Sequence, residues 1–113
     1  MTSTERGRSA ERAAGVYLER LGYEVLDYNW RTKYCEIDIV ARKQSVIHFV
    51  EVKYRQSARQ GSGLEYVTEK KLAQMRFAAE LWVSTHNWPG DYVLSAIEVS
   101  GTDYAVGTFV ESI

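Results

Sequence analysis

Hydrophobic positions recur along this chain with two different periods. From Thr4 to Leu21, Ala10, Ala14, Tyr17, Leu18 and Leu21 fall on one helical stripe, with Ser3 or Thr4 placed as the amino-terminal cap and Gly22 as the stop. The period then drops toward two: YEVLDYNW reads as a strand, CEIDIVAR as a second, and VIHFVEVKY, after a turn at KQS, as a third. The third is so rich in β-branched and aromatic residues that it belongs at the centre of a sheet. RQSARQGSGLEYV has no period and holds two glycines, which predicts a loop of about ten residues. Thr68 then caps a second helix running to about Ser84, with Leu72, Met75, Ala79, Trp82 and Val83 on its apolar side and WPGD closing it. YVLSAIEVS and YAVGTFVES predict two last strands, joined by a turn at Gly101 to Asp103.

An early hairpin followed by a crossover helix predicts an α/β fold, a mixed sheet flanked by helices. At 113 residues, with 45% hydrophobic and 26% charged, residues 1–113 suit a single domain with one modest core. The lone cysteine, Cys35, excludes an intramolecular disulfide and a multi-thiolate zinc site. No apolar run approaches the roughly 18 residues of a membrane span, and the MTSTERGRSAER start lacks the apolar segment of a secretory signal, so the expected setting is the cytoplasm, away from membrane. Net charge is −1, which argues against indiscriminate polyanion binding, yet all 14 Lys and Arg lie in residues 1–76. The first two thirds of the chain are therefore the part that a polyphosphate would meet.

One feature resists the picture of a plain core strand: Glu51 and Lys53 interrupt VIHFVEVKY. An isolated buried charge costs several kcal/mol, so the two need each other or a chemical task. Residues two apart share a strand face, which places Glu51 beside Lys53 and Glu36 beside Asp38. If KQS closes the hairpin, Asp38 and Glu51 come from neighbouring strands near one end of the sheet, on a common face only in one register. Glu11 lies within about 20° of Leu18 on the helical net, at the border of the apolar stripe, where it can reach the sheet. Carboxylates converging with a lysine suit Mg²⁺, which takes oxygen ligands and binds substrate phosphates, and hence metal-dependent phosphodiester hydrolysis.

Asp38, twelve residues and then Glu51-Val52-Lys53 is similar to the PD-(D/E)XK signature of the restriction-endonuclease-like superfamily. GRSAERAA, NWRTKYCEIDIVAR and FVEVKYRQSARQGS together resemble the YraN-like bacterial family of predicted endonucleases, related to archaeal Holliday-junction resolvases. The resemblance spans residues 7–80. It implies an αβββαβ core and a Mg²⁺ site that also accepts Mn²⁺. Asp38, Glu51, Glu11 and the carbonyl of Val52 would be metal ligands, and Lys53 would be the catalytic lysine. Glu36 matches the family's E-I-D block without a defined role. Ala10 and Cys35 stand where the family commonly has glycine, and the carboxy-terminal strand matches poorly.

Plainer readings stand beside these. Glu51 and Lys53 can be a strand-end ion pair, Glu36 and Asp38 the polar face of an edge strand, and Glu11 a first-turn residue answering the helix dipole. His48 alternates with Val46, Val50 and Val52 and reads as a packed core histidine, and Trp30 as core. Near the carboxylates, Arg31, Lys33, Arg55 and Arg59 are placed to meet phosphates, and Tyr34 and Tyr54 to stack on bases. Lys70, Lys71 and Gln74 read equally well as a solvated helix face. The expected activity is a DNA endonuclease acting on branched or otherwise structured DNA. Paired cuts across a junction call for a two-fold homodimer. The alternative is an accessory protein that keeps the fold and binds nucleic acid with little turnover.

Overall fold

The computed structural model of the chain describes residues 2–56 and 66–113. Its elements, in order, are α1 (Ser3–Arg20), β1 (Glu24–Arg31), β2 (Glu36–Lys43), β3 (Val46–Arg55), α2 (Glu69–His86), β4 (Asp91–Ser100) and β5 (Ala105–Val110). The fold is mixed α/β, as the sequence predicts, and its order accommodates an αβββαβ core. Five strands form one sheet in the order β1-β2-β3-β4-β5, antiparallel except for the β3–β4 pair, which α2 bridges as a crossover.

The two helices cover opposite faces. Ala10, Ala14 and Leu18 of α1 pack on Ile39, Ala41, Val50, Ile97 and Val99, while Ala78, Ala79 and Trp82 of α2 pack on Ile37, Val40, Ile47, Phe49 and Leu94. Burial on both faces is why β2 and β3 carry apolar residues at consecutive positions and do not alternate cleanly. His48 is buried among them, its Nδ1 3.1 Å from Ser95 Oγ, which is the core role its position predicts.

Several boundaries differ from expectation. Thr2, and neither Ser3 nor Thr4, caps α1, its side chain accepting from the Glu5 N–H at 3.1 Å. Leu21 ends that helix as its C-cap and stays 42% exposed, so it leaves the apolar stripe on which the helical period places it. The β2–β3 connection is the two residues Gln44 and Ser45, with Lys43 still in its strand and Gln44 at φ +56°. Thr68 caps α2 as predicted, but the helix runs to His86 and stops at Asn87, whose left-handed conformation (φ 52°, ψ 42°) lets the Trp88 N–H return to the Val83 carbonyl at 3.0 Å.

Candidate metal centre

Register decides whether a site exists, and it brings Asp38 and Glu51 together. Ile39 and Val50 form the last pair of the β2–β3 ladder, so Asp38 and Glu51 follow directly where the two strands part. Their carboxyl groups are in hydrogen-bonding contact, and Asp38 Oδ2 also accepts from the Val52 N–H at 2.8 Å. Val52 itself turns its side chain to the α1 face, among the residues packed on that core.

Glu11 approaches from the opposite helix, and a break in β1 explains how it can. Tyr28 and Ile39 belong to the α1 core whereas Trp30 and Ile37 belong to the α2 core, although each pair is only two residues from the other. Alternation fails between them, at Asn29 and Asp38, where Asn29 adopts φ +54°. Asparagine tolerates that conformation far better than most residues. Its side chain then donates from Nδ2 to Glu11 Oε1 at 2.9 Å. Oxygens of Glu11, Glu36 and Asp38 thus lie within 4.8 Å of one another, and Glu11 also bonds to the Asp38 carboxyl. Glu11 sits in the third turn of α1, which removes the first-turn dipole role as an account of it.

Crowding so many acids has an electrostatic consequence. Burial, then the charge of Glu51, pushes the Asp38 carboxyl up to about 9, against the pull of the Val52 N–H. Burial likewise raises Glu11, partly offset by its bonds to Asn29 and Asp38. The donors are all hard oxygens, and oxygens on one Mg²⁺ are separated by about 3–4 Å, so small side-chain shifts fit this set to such an ion.

Cations surround the acids unevenly. Lys53 shares the Glu51 face and lies with its Nζ 5.7 Å from the centre of the Tyr66 ring. The Tyr66 hydroxyl is buried with no hydrogen-bond partner among the described residues. Lys71, reaching back from the first turn of α2, pairs with Glu51 at 2.9 Å. Of the residues expected to meet phosphate, Arg31 is exposed and 3.7 Å from Glu36, and Lys33 is exposed beside Tyr34. Arg55 is turned inward, its Nε 2.9 Å from Glu98 in a mostly buried pair. Tyr54 lies on the α1 face, donating to the Gly101 carbonyl at 3.0 Å and packing on Tyr104. Arg59 lies outside the described residues. Asn29 and Tyr66 are not singled out as site residues by sequence, and Lys71 is there only a weaker candidate for phosphate, with no pairing to Glu51 foreseen. Asn29 alone carried a usable signal, an asparagine inside a strand otherwise rich in aromatic and β-branched residues.

A groove of about 740 Å³ opens above this centre, with Glu36, Asp38 and Glu51 in its floor, Tyr34 and Cys35 on one wall and α2 on the other. No helix is long and apolar enough to cross a membrane among the described residues.

Residues 10–100 match the model of the uncharacterised protein family UPF0102. A UPF0102 protein of Cytophaga hutchinsonii is 34% identical over 106 residues, covering 94% of each chain. One from a Sulfurihydrogenibium species is 40% identical over 102 residues, 89% of each chain. A third, from Beutenbergia cavernae, is 44% identical over 81 residues, 72% of this chain and 69% of its own.

Proposed function

This chain belongs to the UPF0102 family, and from the geometry of its carboxylate cluster we propose that it is a Mg²⁺-dependent endonuclease of the restriction-endonuclease-like superfamily. The observation that carries the reading is the meeting of Asp38, Glu51, Glu11 and Glu36, from β2, β3 and α1, at one partly exposed place at the floor of an open groove. A fold has no structural need to press carboxyl groups together until one is forced to hold its proton at neutral pH. A divalent cation answers that repulsion.

In this reading Asp38, Glu51 and Glu11 hold the ion, with the Val52 carbonyl as a further ligand, and Mn²⁺ substitutes for Mg²⁺. The bound ion supplies Lewis acidity at the scissile phosphate and a water of lowered pKa. The Val52 N–H fixes the Asp38 carboxylate so that its other oxygen faces the site. Lys53, on the same face as Glu51, orients the attacking water or offsets charge on the phosphate. Arg31 and Lys33 contact the DNA backbone, and paired cuts in branched DNA require a second copy of the chain.

Calorimetric titration with Mg²⁺ and Mn²⁺, followed by incubation with linear, flapped and four-way DNA, tests this. Metal binding and metal-dependent nicking are expected. Asp38→Ala loses both, and Lys53→Ala loses only nicking. A second reading, a DNA-binding accessory protein without turnover, draws support from Lys71, whose ammonium balances Glu51 without any metal. DNA binding with no cleavage in either metal would favour it.

A further inference from the structure

We propose that the groove between the β1–β2 turn and α2 receives an unpaired DNA strand, its bases stacked on Tyr34 and Phe77 and its backbone led past Lys70 and Lys71 toward Asp38 and Glu51. This names the substrate class of the site and rests on the nuclease reading for the nature of the polymer.

Both rings are held in water by the fold. Tyr34 is 70% exposed and Phe77 54%, and both line the groove above the acidic floor. The turn that carries Tyr34 is fixed by two hydrogen bonds, Thr32 N–H to the Cys35 carbonyl at 2.9 Å and Tyr34 N–H to the Thr32 side-chain Oγ1 at 3.0 Å, so the ring projects from a closed loop and has no core to enter. On α2, Lys70, Gln74 and Phe77 follow one another at i, i+4 and i+7, a stripe distinct from the buried Ala78, Ala79 and Trp82. Helical phase therefore keeps Phe77 out of the core and beside the lysine.

Stacking decides which form of DNA such rings recognise. In a duplex the base faces are hidden by their neighbours, and protein sees only edges and phosphates. An unpaired strand offers the faces themselves, and aromatic side chains then bind any base with little regard to sequence. Charge is complementary as well. The exposed Lys70 and half-buried Lys71 line the groove, and Lys33 adds a cation with its Nζ 5.1 Å from the Tyr34 ring centre, while the acids stay in the floor.

The test is fluorescence anisotropy of the full chain in EDTA with one labelled sequence in three forms: single strand, duplex with an unpaired flap, and full duplex. Tyr34→Ala and Phe77→Ala should each weaken binding of the first two by about 5- to 50-fold. Duplex binding should change by less than about twofold, and Tyr34→Phe should retain wild-type affinity. Both positions are exposed, so thermal melts of all variants should coincide with wild type. Equal loss on paired and unpaired DNA, no loss on either, or a wild-type preference for full duplex would overturn the proposal. The nicking assay separates the two readings: ring-dependent binding of unpaired strands without nicking removes the nuclease and leaves the groove. Undiminished nicking of flapped DNA by the double alanine variant does the reverse.

Discussion

Asn29 is one residue in an edge strand, yet the position of Glu11 depends on it. Its left-handed backbone sits opposite Asp38 where the β1–β2 pair exchanges faces, and its amide holds the Glu11 carboxylate. Asn29→Ala removes both the conformational tolerance and the bond, and should cost about 1–2 kcal/mol in urea denaturation. Asn29→Gly, which restores only the tolerance, should recover part of that stability and none of the metal affinity expected of Glu11 on the proposed reading. Lys71 works in the opposite sense. Its ammonium occupies the oxygen of Glu51 that a metal would claim, so Lys71→Gln should tighten Mg²⁺ binding by about two- to fivefold, the modest gain reflecting a partly exposed pair. Weaker binding in that variant would instead place Lys71 among the residues that assemble the centre. The proposed ligands were legible in the sequence because strand periodicity ties Glu36 to Asp38 and Glu51 to Lys53. Asn29 and the pairing of Lys71 with Glu51 were not, since a backbone inversion and a lysine folding back over a helix turn leave no period.

Among the elements, α1 and β1 meet more tightly than any hydropathy pattern reveals. Gly15 lies in the middle of α1, and a Cβ built there would run into the Tyr28 hydroxyl, while Arg12 from the same helix lies 4.0 Å above the Tyr28 ring. Helix propensity alone favours alanine at position 15 by about 1 kcal/mol. Overpacking against β1 costs about 1–3 kcal/mol and should win, so Gly15→Ala is expected to lower the urea midpoint. Adding Tyr28→Phe, which deletes the atom in the way, should return part of the loss, and additive effects in that double variant would rule the contact out as the cause. The helix stripes and the central β3 were readable because each element obeys its own period. Which face each helix covers was not, because β2 and β3 are apolar on both sides and accept a helix on either. The structure assigns α1 to Val50 and Ile39 and α2 to Phe49 and Val40. That choice sets Lys71, and not a residue of α1, over Glu51.

Residues 1–76 carry all 14 Lys and Arg and residues 77–113 none, yet the two stretches meet in space, with α1 packed on β4 and Arg55 paired with Glu98. Cations elsewhere in the fold do not relieve the acids in the groove floor, and their repulsion must appear in global stability. Asp38 shifts from an ordinary value of 3.8 to about 9 on folding. A carboxyl group raised in this way gives its full contribution below its unfolded value and loses it as pH climbs through the folded one. Without divalent ions the melting temperature should therefore fall between about pH 6 and about pH 9, and Asp38→Asn should flatten that decline. On the proposed reading Mg²⁺ would reverse the sign, because binding at Asp38 would expel its proton and so strengthen as pH rises, by at most about tenfold per unit. Saturating Mg²⁺ should hence raise the melting temperature more at about pH 9 than at about pH 6, with proton release measurable by calorimetry in buffers of different ionisation enthalpy. Equal stabilisation at both values, or no proton release, would mean that any metal the chain binds does not sit on Asp38.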